Sequence, residues 1–229
     1  MDDPGLEDRA HFEALRGLAR LNGLSRTART FWKELVRLAP SRLDTPVRIL
    51  DVACGGGDIA VRLSRIARRA GKDVQVDGCD LSARAIAYAR QRASAHGATC
   101  RFFPLDVRAQ PLPIGYDVFI SSLFLHHLGA DDAVALLADM ARASRCGFMI
   151  DDLRRTAGGY LLAAAAGRLA SRSPVVHRDS LLSVRAAFTI DEAGRLPERA
   201  GLTGWTLRKC FPCRFLLTWR KEVGDGPGA

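Results

Sequence analysis

The chain has 229 residues, 34 of them basic and 25 acidic, for a net charge of +9; it is 48% hydrophobic and 26% charged. That length supports one sizeable core and not two ordinary domains, and the composition is that of a soluble globular protein. No apolar run is long enough to span a membrane, the N-terminus Met1-Asp2-Asp3-Pro4 lacks an apolar signal segment, and a cytoplasmic location is the expectation.

The basic residues are almost all arginine, with lysine only at 33, 72, 209 and 221, and they are spread singly or in pairs with few aromatics between them. This pattern argues against nucleic acid as a partner. Four of the six cysteines fall in or beside apolar strand candidates, where a free thiol behaves as a small hydrophobe. Cys210-Phe-Pro-Cys213 has zinc or redox spacing, but no second pair accompanies it and no metal is expected.

Taken in chain order, residues 6–39 read as two helices, the first with Leu15, Leu18 and Leu21 on one face, the second with Trp32, Leu35, Val36 and Ala39. Val47–Val52 is a β-branched strand, and Ile59, Leu63, Ile66, Ala67 and Ala70 mark a helix ending at Gly71. A second strand spans Val74–Cys79, and a helix capped by Ser82 ends near Gly97. Strands at Thr99–Leu105 and Tyr116–Ser122 precede a helix capped by Asp131 or Asp132, and Gly147–Asp151 is the fifth strand. The segment 156–188 breaks the alternation and is expected to be a lid, with a helix through Tyr160–Ala170. Thr189 and Glu192 have capping-box spacing for a last helix that carries Pro197. Gly204–Cys210 and Arg214–Arg220 are close enough to pair antiparallel, and the tail from Gly224 reads as disordered. Strand–helix alternation predicts an α/β fold: one doubly wound, Rossmann-like, seven-stranded sheet over residues 1–229, mostly parallel with the last strand antiparallel.

The strongest chemical signal is Ile49-Leu-Asp-Val-Ala-Cys-Gly-Gly-Gly-Asp58. A buried strand runs into glycines and a helix starts at once, so backbone N–H groups and a close-approach turn meet at the carboxyl edge of the sheet. This is a nucleotide-like site. It lacks the G-x-G-x-x-G spacing of dinucleotide folds and the Gly-Lys-Ser/Thr of a phosphate loop.

In Asp51, Cys54, Gly55 and Gly57 the chain resembles the class I S-adenosylmethionine (SAM)-dependent methyltransferases. The resemblance implies SAM as cofactor. Asp80, ending the second strand, takes the place of the acid that accepts from the ribose hydroxyls; Asp106, ending the third, that of the acid receiving the adenine amino group, with Val107 offering its backbone N–H. Ala53, Leu81 and Ser121 complete the implied cofactor set. The run Leu125-His126-His127-Leu128 is similar to the branch that includes quinone-biosynthesis methyltransferases. The resemblance covers about residues 45–220, and is weak over the N-terminal helices and 156–188.

His126 and His127 are the candidate catalytic residues, since an imidazole is a suitable base for a hydroxyl near neutral pH. Adjacent residues point differently, so at most one is expected to face the methyl donor. Asp152 and Arg155 are candidate substrate contacts with salt bridging as the simpler reading, and His177 is a weaker candidate base. The fourth strand is followed by neither the Asn/Asp-Pro-Pro-Tyr/Phe of nucleobase amino methylation nor a Pro-Cys nucleophile. The expectation is methyl transfer to a small, partly apolar acceptor, a phenolic or enolic oxygen first; an RNA or protein methyltransferase and a non-catalytic SAM-binding protein are the alternatives.

Overall fold

The run Val47–Val52 (β1) lies near the middle of a seven-stranded sheet and is covered on both faces, which is why Val47, Ile49, Leu50 and Val52 are all apolar and buried. The structure, a computed structural model, describes residues 26–38, 46–170 and 181–221. In chain order these form α1 (Thr27–Leu38), β1, α2 (Asp58–Arg69), β2 (Val74–Asp80), α3 (Ala83–Ala95), β3 (Phe102–Pro104) and β4 (Val118–Ser122). A 3₁₀ turn (Leu125–His127), α4 (Ala130–Ala143), β5 (Gly147–Leu153), α5 (Ala157–Ala170), α6 (Ile190–Arg199), β6 (Thr206–Cys210) and β7 (Arg214–Arg220) follow. Residues 181–186 are also helical.

The strand order is β3-β2-β1-β4-β5-β7-β6, with β1 to β5 mutually parallel and β7 antiparallel to both its neighbours. The order reverses between β1 and β4, which places a ligand crevice at their carboxyl ends. Alternate strand residues feed two cores. Ile49, Ile120, Met149 and Leu216 face α1, α2 and α3, whereas Leu50, Phe119, Phe148 and Phe215 face α4 and α6.

Several local expectations shift. In α1 the buried stripe is Ala28, Phe31, Leu35 and Leu38, at helical spacing, while Val36 is exposed and Trp32 only partly covered. Glu34 lies within that stripe, held by Arg37 at 2.8 Å and by Arg208 of β6 at 2.6 Å. Gly129, not Asp131 or Asp132, caps α4; the two acids sit in its first turn, where they favour the positive end of the helix dipole. The third strand contracts to Phe102–Pro104 and the fourth to Val118–Ser122. Leu15, Leu18, Leu21, Ala39 and the tail from Gly224 lie outside the described residues.

Ser82 caps α3 as expected, accepting from Ala85 N at 3.2 Å. The capping box of α6 is complete: Glu192 N donates to Thr189 Oγ1 at 3.2 Å and Thr189 N to Glu192 Oε2 at 2.8 Å. Thr189→Ala should lower unfolding stability by about 1 kcal/mol in a denaturant titration. An unchanged midpoint would mean the box contributes nothing.

Candidate functional site

At the exit of β1 the backbone turns through left-handed conformations at Ala53 (φ 55°), Gly55 (51°) and Gly57 (68°). Gly57 has no alternative, because a Cβ there would lie 2.8 Å from Ala89 Cβ and from Phe102 Cζ. Ala53 has no such freedom, and Leu123, just past β4, shares the strain at φ 58°. Of the four described non-glycine residues in this conformation, these two follow the strands that flank the switch point, where such strain is commonly functional; Arg26 and Cys213 lie elsewhere in the chain.

Asp80 braces the turn. Its Oδ2 accepts from Gly55 N and its Oδ1 from Ser82 N, both at 2.8 Å, so both carboxylate oxygens are turned to this edge of the sheet. Asp51 is buried, and its Oδ2 has no hydrogen-bond partner among the described residues. Burial first, then the nearby Asp58 and Asp80, push its carboxyl well above the ordinary carboxylate range. Cys54 is buried with its Sγ 3.7 Å from Gly55 O, and burial keeps the thiol protonated. Leu81 stands at the rim, 70% exposed. The Asp106 carboxylate accepts from Arg108 N at 3.0 Å and its carbonyl from Gln110 N at 2.9 Å, while Val107 N–H has no protein acceptor among the described residues.

Ser121 needs correcting. Its hydroxyl donates to Val52 O at 2.9 Å inside the sheet, and it pairs in register with Val52, on the face away from Asp51. The neighbouring Ser122 falls on the Asp51 face, and its buried Oγ has no partner among the described residues. Strand alternation carried that signal, since one step along β4 exchanges the faces.

The histidines separate. His126 is 6% exposed, and its Nδ1 lies 2.6 Å from Asp152 Oδ1, while its backbone N–H donates to Asp152 Oδ2 at 3.1 Å. Both carboxylate oxygens therefore fix one residue. A neutral ring that donates from Nδ1 presents Nε2 as a proton acceptor. His127 is exposed, its ring centroid 4.3 Å from that of His126. Burial alone would raise the Asp152 carboxyl; His126 and the Leu153 N–H outweigh it and hold it below its ordinary value. Asp152 is thus committed to His126, Arg155 pairs with Glu192 at 2.5 Å, and His177 lies outside the described residues.

Asp151, one residue earlier, points to the opposite face. It pairs with Arg214 at 2.7 Å, and Arg214 also donates to Thr27 Oγ1 at 2.6 Å, which ties the start of α1 to the sheet edge. Burial, opposed by Arg214 and aided by Asp152, pushes the Asp151 carboxyl up to about 6. Asp151 therefore binds its proton more tightly folded than unfolded, and its contribution to stability, full below 3.8, is lost as pH rises through about 6. Asp151→Asn should gain on the native chain by on the order of 2–3 kcal/mol between about pH 4 and 7. Denaturant titrations across that range would refute this with a pH-independent difference.

The fold, with its strained glycine turn braced by a strand-end acid beside the switch point, is similar to that of SAM-dependent methyltransferases of known structure. The methyltransferase domain family profile matches residues 49–147, under half of the chain. A demethylmenaquinone methyltransferase from Thermus thermophilus is 41% identical over 70 residues, a match spanning 31% of this chain and 30% of that protein. Among solved structures, a SAM-dependent methyltransferase from Aquifex aeolicus superposes with a TM-score of 0.66 at 16% identity, covering 94% of this chain and 98% of that one. Magnesium protoporphyrin IX methyltransferase from Synechocystis, with bound SAH, gives 0.61 at 19% identity over 87% and 84%.

Proposed function

We propose that the chain transfers the methyl group of SAM to a hydroxyl oxygen, phenolic or enolic, of a small and partly apolar acceptor, with His126 as the base. The observation that carries this reading is the 2.6 Å contact between His126 Nδ1 and Asp152 Oδ1 at the carboxyl edge of the sheet.

The residues fit the cofactor. Asp51 Oδ2, buried and unmatched among the described residues, suits the ammonium of the methionine end, and Ser122 Oγ lies on the same side of the sheet. The two carboxylate oxygens of Asp80 suit two vicinal hydroxyls. Asp106 and Val107 N–H offer the acceptor–donor pair that an adenine edge requires. When bound, the cofactor supplies an electrophilic methyl on a cationic sulfur. The rest falls to the protein: aligning the acceptor, excluding water and accepting a proton. His126 Nε2 takes that proton as the oxygen–carbon bond forms and the sulfur–carbon bond breaks, giving a methyl ether and S-adenosylhomocysteine. Asp152 is a positioning residue that fixes the ring and favours the charge it gains.

The relatives named for demethylmenaquinone and magnesium protoporphyrin IX support a small-molecule acceptor. The segment 156–188 is the proposed lid; Tyr160, Leu161 and Leu162 at the start of α5 are exposed apolar groups available to close on an acceptor. The experiment is mass detection of methylated product and S-adenosylhomocysteine over phenols, enols, RNA and protein, with hydrogen exchange alongside. Phenols or enols should turn over and exchange in 156–188 should slow with cofactor and acceptor bound. Methylation of RNA or protein alone, or no turnover with any acceptor, would overturn the reading.

A further inference from the structure

The end of β5 carries four charges in five residues, and three of them are spoken for. Asp151 is held by Arg214, Asp152 by His126, and Arg155 by Glu192. Arg154 has no acid partner among the described residues, and its Nε is buried without an acceptor. Buried donors are almost always satisfied, so an orphan of this kind calls for a partner that the described residues do not supply.

Its position says what the partner touches. Arg154 N donates to Cys213 O at 2.9 Å, which carries the β5–β7 pairing one step past Leu153 and Arg214. Arg154 stands one residue past the end of β5 and two past Asp152, at the carboxyl edge that also carries the His126–Asp152 pair. Two residues of extended chain span about 6.6 Å. That is the span of one six-membered ring with its substituents. A guanidinium presents a planar fork of donors that matches a carboxylate and, unlike a lysine ammonium, stays charged at every working pH.

We propose that Arg154 binds a carboxylate of the methyl acceptor, so that the substrate class is a small hydroxy acid of aromatic or enolic type. The pairing of that carboxylate with a hydroxyl at His126 rests on the reading of His126 as the base. The carboxylate seats on Arg154, the ring bridges the gap, and the hydroxyl meets Nε2. Esters and amides of the same skeleton lack the charge and bind poorly.

The probe is benzoate, with benzamide as its uncharged counterpart, titrated into the full-length chain while the arginine Nε–H resonances are followed by NMR. The Arg154 signal is assigned by its loss in Arg154→Lys. Benzoate should move that signal and benzamide should not, and Arg154→Met should weaken benzoate binding at least ~10-fold with the melting temperature unchanged. A signal indifferent to benzoate, an equal response to benzamide, or undiminished binding in Arg154→Met overturns the proposal; if Arg154→Met is unstable, the benzoate–benzamide comparison on the native chain decides. His126→Ala should bind benzoate normally. Benzoate binding without any turnover of hydroxybenzoates would remove the base reading and leave the arginine site standing, whereas turnover indifferent to the acid group would do the reverse.

Discussion

Replacing Asp80 with alanine should weaken SAM binding by about 1.5–3 kcal/mol, a loss of ten-fold to over a hundred-fold in affinity, because it removes hydrogen bonds to a charged acceptor. The carboxylate has two duties. It holds Gly55 N and Ser82 N at 2.8 Å each, which fixes the glycine turn against the start of α3, and the same two oxygens are the proposed ribose acceptors. Alanine removes both, so the turn loses its brace as the cofactor loses its partner. Asp80→Asn separates them: one carbonyl oxygen can still accept from Gly55 or Ser82, but the charge and the second acceptor are gone, and an intermediate loss is expected. Asp106→Ala should cost less, since that acid braces only its own turn through Arg108 N. Isothermal calorimetry with SAM and S-adenosylhomocysteine measures all three. Unchanged affinity in Asp80→Ala would remove the whole cofactor assignment, because the other contacts are oriented by the turn this residue holds.

How much of this was legible depended on how far apart in the chain the partners lie. Asp51, Gly55, Gly57 and Asp80 could be read because a residue type at a strand end is a local pattern. The seven strands, mostly parallel with the last antiparallel, followed from strand–helix alternation and the closing hairpin. Which of Ser121 and Ser122 shares the face of Asp51 is a matter of parity, and only the register, which pairs Val52 with Ser121, shows it. The helix face of α1 was misjudged because Glu34 interrupts its apolar stripe, and the cation that neutralises it, Arg208, is 174 positions away. Asp131 and Asp132 have the chemistry of a cap, yet the chain enters the helix through Gly129. His126 and Asp152 were each singled out, but their pairing across 26 positions depends on β4 and β5 being neighbours. No spacing rule within a sequence expresses that.

That pairing yields the second large effect. His126→Ala should lower kcat by about 10²–10⁴ while leaving SAM affinity nearly unchanged, because an interaction made only in the transition state is lost. The geometry assigns the role to His126, buried and gripped by Asp152, and not to His127, which is exposed with its ring 4.3 Å from that of its neighbour; His127→Ala should retain turnover within a few-fold. Asp152→Asn should act in the same direction as His126→Ala, since an amide can present its N–H to Nδ1 and turn the ring to the unproductive tautomer. A buried residue can fail for structural reasons, and the acceptor itself separates the cases. A hydroxyl that arrives already ionised needs no base. The deficit of His126→Ala should therefore shrink steadily across a series of phenols of increasing acidity, approaching the native rate for those fully ionised at the assay pH. A variant that is merely misfolded loses the same factor with every phenol. Rates that fall in parallel across the series, or a His126→Ala enzyme as fast as the native one with the least acidic phenol, would show that His126 holds the loop after β4 and that the proton leaves by another route.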